Sequence, residues 1–183
     1  IALSGRARTF QNVQLFGEMT ALQNIQVGLH HSFASNIVDV SLHTPRYRRE
    51  EDASVERGLG LINFVGLTGL AHEEARNLPY GKQRLLEIGM ALATRPRLLL
   101  LDEVAAGLTE SEVEAMAQLI RRMRDELDLA VVWIEHAVTT LLRHVERVIV
   151  LHQGRKIADG PPAEVVRNAE VIEAYLGDEM AEP

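Results

Sequence analysis

Apolar positions in the first part of the chain recur at helical spacing. Leu22, Ile25 and Leu29 fall on one face, and Thr20 with Gln23 makes a capping box ahead of them, so the spacing predicts a helix from near Ala21. The stretch before it, Ile1 to Val13, is short and mixed, and Phe16-Gly17-Glu18 reads as a turn. From His43 to Asp52 the chain turns to proline, arginine and acid, which predicts a loop. Val55, Leu59, Ile62 and Val65 then mark a second helix, and no strand is predicted before about Arg76.

Past Pro79 the pattern alternates. Gln83 to Thr94 predicts a helix stopped by Arg95-Pro96, because a residue before proline avoids the helical region. Leu98-Leu99-Leu100-Leu101 is a continuous apolar run too short for a helix, and predicts a strand buried on both faces. Thr109 and Glu112 form another capping box, with Val113, Met116, Ile120 and Leu127 as the buried stripe. Ala130 to Ile134 predicts a second buried strand, Val138 to Val145 a helix, and Val148 to Leu151 a third strand. Gln153-Gly154 is a tight turn into a short strand around Lys156 to Ala158. After Pro161-Pro162 a final helix carries Val165, Val166, Ile172 and Tyr175. Strands alternating with helices predict an α/β fold with a parallel sheet flanked by helices.

Composition narrows the function classes. With 183 residues, 46% hydrophobic and 25% charged, the chain suits one ordinary domain with a core, and neither disorder nor a fibrous fold fits. A net charge of -7 argues against a general nucleic-acid binder, since phosphate binding relies on massed Lys and Arg. The basic run Arg46-Tyr47-Arg48-Arg49 is neutralised by Glu50, Glu51 and Asp52. Zero cysteines exclude a disulfide scaffold and a thiolate metal site. No apolar run approaches the roughly 20 residues that cross a bilayer, and no secretion signal opens the chain. A membrane role is therefore expected to depend on a partner, with the chain itself cytoplasmic.

Candidate chemistry gathers at strand ends. Four leucines deliver Asp102 and Glu103 at the C-terminal end of a buried strand, the edge where open parallel sheets bind ligands. An Asp there can hold magnesium through its water shell, and the neighbouring Glu can orient a water for attack on a phosphoryl group. A plain strand end with acids in the following turn carries the same pattern. Val104 to Leu108 is a small-residue loop, suited to close backbone approach. Ile134-Glu135-His136 places a histidine at the same sheet edge, where a surface or capping role is the ordinary alternative. Leu78-Pro79-Tyr80-Gly81-Lys82-Gln83 opens a helix whose free N–H groups favour anions, although a turn with a glycine reads the same way.

The order of these elements is more specific than any one of them. It resembles the layout of ABC-transporter ATPases, a P-loop NTPase fold with a RecA-like parallel sheet and an α-helical subdomain. The resemblance implies a Q-loop at Gln11 within Arg8-Thr9-Phe10-Gln11-Asn12, a signature motif from Leu78 to Gln83, a Walker B strand ending at Asp102 and Glu103, a D-loop at Ala105 to Leu108, and a switch histidine at His136. It divides the chain into a Q-loop region (1–12), a helical subdomain (13–77), the signature helix and catalytic core (78–163) and a C-terminal helix (164–183). The nearest branch is that of branched-chain amino acid importers, carried by Arg8 to Asn12, Tyr80, Ala105-Ala106-Gly107-Leu108, Glu135-His136 and Val171 to Gly177. Urea importers and the lipopolysaccharide export ATPase are close to it.

What the resemblance implies is an ATPase using ATP and Mg2+. Glu103 is its base, with Asp102 and Gln11 as metal ligands and His136 on the terminal phosphate. Pro79, Tyr80, Gly81, Lys82 and Gln83 would face the nucleotide of a second ATPase subunit, with Ala106, Gly107 and Leu108 at the subunit contact. Transmembrane permease subunits would dock on the helical subdomain, a solute-binding protein would act indirectly, and the subunit would sit on the inner face of the cell membrane.

Several positions depart from the family pattern. These residues hold no G-x-x-x-x-G-K-[ST] phosphate loop, since only Gly81 precedes a lysine and Arg76 stands where the first glycine belongs. The family places that loop ahead of Ile1, on a strand between the one ending at Ile134 and the one near Val148. The sequence is therefore expected to be a fragment, hardly able to bind ATP alone and leaving unpaired strand edges. A truncated, non-catalytic binding or regulatory module is the alternative. Pro79 replaces the usual signature serine; a lost charged hydrogen bond is worth about 1.5–3 kcal/mol, or roughly tenfold to a hundredfold in closure. Lys82, Gly89, Met90 and Val104 also differ from commoner residues, but none removes the metal ligand or the base.

Overall fold

Thr20 starts the first helix with the reciprocal cap its sequence predicts. Its N–H donates to Gln23 Oε1 at 2.9 Å and its hydroxyl accepts from Gln23 N at 3.2 Å. A computed structural model describes residues 6–8, 15–29, 44–135 and 142–176, and the structural statements below concern these. Helix α1 (Ala21–Leu29) buries Leu22, Ile25 and Leu29. Asn24, fully buried on the same face, accepts from Phe16 N at 2.9 Å and donates to the carbonyls of Phe16, Met19 and Thr20, which fixes the preceding turn.

The expected loop from His43 to Asp52 is a helix from Pro45 onward. Helix α2 (Pro45–Phe64) starts at Thr44, whose hydroxyl accepts from Tyr47 N, with proline at the first helical position. There its missing N–H would have had no partner anyway, and its fixed φ suits the helix. Leu59, expected on the buried stripe, is 41% exposed; the buried position beside it is Gly58, where a β-carbon would come within 2.6 Å of Leu22 Cδ1. A short 3-10 turn (Ala75–Asn77) leads to α3 (Tyr80–Ala93), which begins at Tyr80 rather than Gln83 because Pro79 caps it in extended geometry.

Strand β1 (Arg6–Arg8) was not expected, being too short to show a period; it gains its conformation by pairing. Together with β2 (Leu98–Asp102) and β3 (Ala130–Ile134) it makes a parallel sheet in the order β1-β2-β3. In β2, Leu99 and Leu101 are fully buried while Leu98 and Leu100 are half-buried. Strand β3 is not the buried strand expected: Val132 is 46% and Ile134 51% exposed, because one of its faces is uncovered among the described residues. Helix α4 (Glu110–Leu127) has the predicted capping box at Thr109 and Glu112 and buries Val113, Met116 and Ile120, but Leu127 is 46% exposed.

Contacts divide the chain into Ile1–Ile134 and Glu135–Pro183. In the second unit β4 (Val148–His152) pairs antiparallel with β5 (Arg155–Gly160) through Gln153 and Gly154, whose φ values of 46° and 76° make the tight turn. The predicted final helix is broken into α5 (Pro162–Val165), α6 (Ala169–Val171) and a π-turn (Ile172–Leu176). Asn168 makes the break, its side chain accepting from the N–H groups of Glu170 and Val171. Of the predicted helix from Val138 to Val145, residues 138–141 lie outside the described residues and 142–144 form a turn.

Candidate functional site

Register decides which chain segments meet at the sheet's C-terminal edge. Arg8 pairs with Leu100 and Asp102 with Ile134, so three parallel strands discharge toward the same side. Glu103 follows β2 directly, and its N–H donates to Ile134 O at 2.9 Å. Its φ of 49° lies in the left-handed region, which costs a residue with a β-carbon about 1–2 kcal/mol. Two tight turns follow, Ala106 N to Glu103 O at 3.3 Å and Leu108 N to Ala105 O at 3.1 Å. Val104 is 1% exposed and anchors the loop from below, while Gly107 takes φ 76°.

Asp102 and Glu103 are half-buried side by side on this edge. Gln11 and His136 lie outside the described residues; β1 ends at Arg8 and β3 at Ile134. Among the described residues no three metal-binding side chains cluster. Magnesium needs no such cluster, because it is held through one or two carboxylates, waters and substrate phosphates. Asp102, a hard oxygen donor at an open strand end, fits that ion.

The predicted signature residues surround the start of α3. Leu78 is buried, Pro79 and Tyr80 are exposed, Gly81 is buried, and Lys82 and Gln83 are half-buried. Gln83 turns inward, its side-chain amide donating to Leu78 O at 2.9 Å. Gly81 packs closely here: a β-carbon there would displace the Glu112 carboxylate and lie 3.5 Å from Leu108 Cδ2. Glu112 is held below the ordinary carboxylate range by the Thr109 N–H, then by the Thr109 hydroxyl, with the Lys82 charge adding to both. A β-carbon on Gly107 would lie 3.5 Å from Tyr80 Cε1. The signature turn and the loop 105–108 therefore touch within one chain, although they are far apart in sequence.

Sequence reasoning missed Arg84 and Glu87. Both are charged yet buried, 2% and 7% exposed, and pair at 3.3 Å. Arg84 also donates from Nε and Nη2 to Tyr80 Oη at 3.1 and 2.7 Å, with its guanidinium 5.2 Å from the ring centroid. The available signal was an Arg and a Glu one helical turn apart inside an otherwise apolar helix.

Comparisons with known proteins bear on the same elements. A family model described as ABC transporter matches residues 4–106, and one described as Branched-chain amino acid ATP-binding cassette transporter matches residues 155–181. The chain is 41% identical over 178 residues to the high-affinity branched-chain amino acid transport ATP-binding protein BraF of Pseudomonas aeruginosa, covering 97% of this chain and 70% of that one. It is 37% identical, with the same coverage, to the protein LivG of that description from Escherichia coli. Among solved structures, an ATP-binding cassette of an ABC transporter in its ADP conformation superposes with a TM-score of 0.77 at 27% identity, over 96% of this chain and 70% of that one. A nucleotide-free ATP-binding cassette superposes with a TM-score of 0.70 at 26% identity, over 98% and 67%.

Proposed function

Because the chain belongs to the ABC transporter ATP-binding family, close to the branched-chain amino acid transport proteins, we propose that it is part of a subunit whose ATP hydrolysis powers uptake of branched-chain amino acids or a related small solute. The observation that carries this reading is the parallel register that brings Arg8, Asp102 and Ile134 to one sheet edge, with the Glu103 N–H on Ile134 O.

In this reading Glu103 orients the attacking water and accepts its proton. Asp102 and Gln11 hold magnesium, which when bound neutralises charge on the phosphates. His136 contacts the terminal phosphate. Pro79 to Gln83 face the nucleotide of the opposite subunit, with Ala106, Gly107 and Leu108 at the subunit contact. Residues 13–77 dock on permease subunits, which reach a solute-binding protein in turn. That docking places the chain at the inner membrane face, and no described helix is long and apolar enough to cross a membrane itself. The phosphate loop this reading requires is not among these 183 residues. In the described sheet β3 is an outer strand, which leaves an edge for a further strand beside it.

Replacing Glu103 with Gln in the full-length subunit is expected to lower ATP turnover by about 10²–10⁴-fold while leaving ATP affinity largely unchanged. Undiminished hydrolysis overturns the assignment. The lack of a phosphate-loop motif in this sequence favours a second reading, a non-catalytic module. An in-frame phosphate loop upstream of Ile1 in the gene would exclude it.

A further inference from the structure

We propose that Tyr80, Arg84 and Glu87 form a positioning latch that ties the signature turn to the loop 105–108 of the same subunit, so that movement at one is felt at the other. The Arg84–Glu87 pair is a costly way to fill buried space. Two charges at 2% and 7% exposure are costly to desolvate, and a contact of 3.3 Å is long for a charged hydrogen bond. Apolar side chains of similar volume would fill the space as well. What they could not do is hold a phenol.

Arg84 grips Tyr80 Oη with two donors at 3.1 and 2.7 Å and lies beside its ring, while Glu87 fixes Arg84 from the next turn. The ring is thereby held from within the helix although it is 45% exposed. Its Cε1 edge lies near Gly107, at ordinary contact distance (3.5 Å) from where a β-carbon on that residue would stand. The next residue, Gly81, abuts Leu108 and the Glu112 carboxylate. Consecutive signature residues therefore touch consecutive loop residues, and that loop begins at Glu103. Packed side chains with a hydrogen-bonded anchor are the physical route by which a shift of the α3 N-terminus reaches Glu103. The catalytic consequence rests on the ATPase reading; the latch itself does not.

The test uses Tyr80→Phe, Arg84→Met and Arg84→Lys in the full-length subunit, with two readouts. Amide hydrogen exchange at residues 105–108 is expected to rise about tenfold in Tyr80→Phe and Arg84→Met, as expected for loss of about 1.4 kcal/mol of local protection, with Arg84→Lys partly restoring it. ATP turnover is expected to show kcat lowered about tenfold with KM within about twofold, because an interaction that positions reacting groups affects kcat more than binding. The double variant Tyr80→Phe/Arg84→Met should be no worse than Arg84→Met alone. Unchanged exchange at 105–108 in Tyr80→Phe overturns the latch, and that variant keeps the core ion pair, so it tests the idea even if Arg84→Met fails to fold. Absent hydrolysis in the parent protein defeats the ATPase reading but leaves the exchange result decisive for the latch.

Discussion

At Asp159 one carboxylate serves two cations, accepting from Arg147 Nε at 2.8 Å and from Lys156 Nζ at 2.7 Å. Those hydrogen bonds, Arg147 first, hold its pKa at about 2. A depressed folded value means that the unfolded state binds more protons between about pH 4 and pH 2. The stabilisation is present above that window and is lost as pH falls through it. Asp159→Asn should therefore flatten the acid limb of the β4–β5 unit, read as the change in its unfolding midpoint between pH 5 and pH 2 by circular dichroism. Leu101 belongs to a different class of residue. It is fully buried in the central strand, so Leu101→Ala should cost about 2–5 kcal/mol in urea unfolding, from lost transfer energy plus the cavity left behind.

Among elements, α1 and α3 approach tightly at Gly28. A β-carbon there would meet Met90 O at 2.6 Å and Ala93 Cβ at 2.8 Å, and neither backbone can yield cheaply. Alanine is the better helix former by about 1 kcal/mol, yet Gly28→Ala should still destabilise by about 1–3 kcal/mol, because overpacking forces the helices apart. A rise in the denaturation midpoint would contradict this. Capping pairs such as Thr20/Gln23 and Thr109/Glu112 were legible in the sequence because their partners lie within one turn. The start of α2 was misread because charge density over 46–52 looks like a loop, whereas on a helix it forms the solvent face. Strand β1 was invisible because its stability comes from register with β2, a partner far along the chain. Asp102 and Glu103 were readable from the leucine run before them. Arg84 and Glu87 were not, since their burial depends on the elements packed around α3, and the approach of Glu112 to Gly81 joins segments far apart in sequence.

Across the whole molecule, apolar surface is left uncovered in each unit. Val132 and Ile134 project from one face of β3, and Ile149 (56% exposed) and Leu151 (62% exposed) from one face of β4. Such strands template unwanted association. Val132→Thr with Ile134→Thr should raise the concentration at which this chain stays monomeric, measured by light scattering, while changing unfolding free energy by no more than about 1 kcal/mol. The leucine run is set into the sheet by burial, but the residue just after it obeys a different demand. Glu103 occupies a backbone shape that glycine adopts freely, so Glu103→Gly should melt higher, with about 1–2 kcal/mol of relief, and, on the proposed reading of Glu103 as base, the full-length subunit carrying it should lose turnover. At this one backbone position the side chain and the stability of the chain pull in opposite directions.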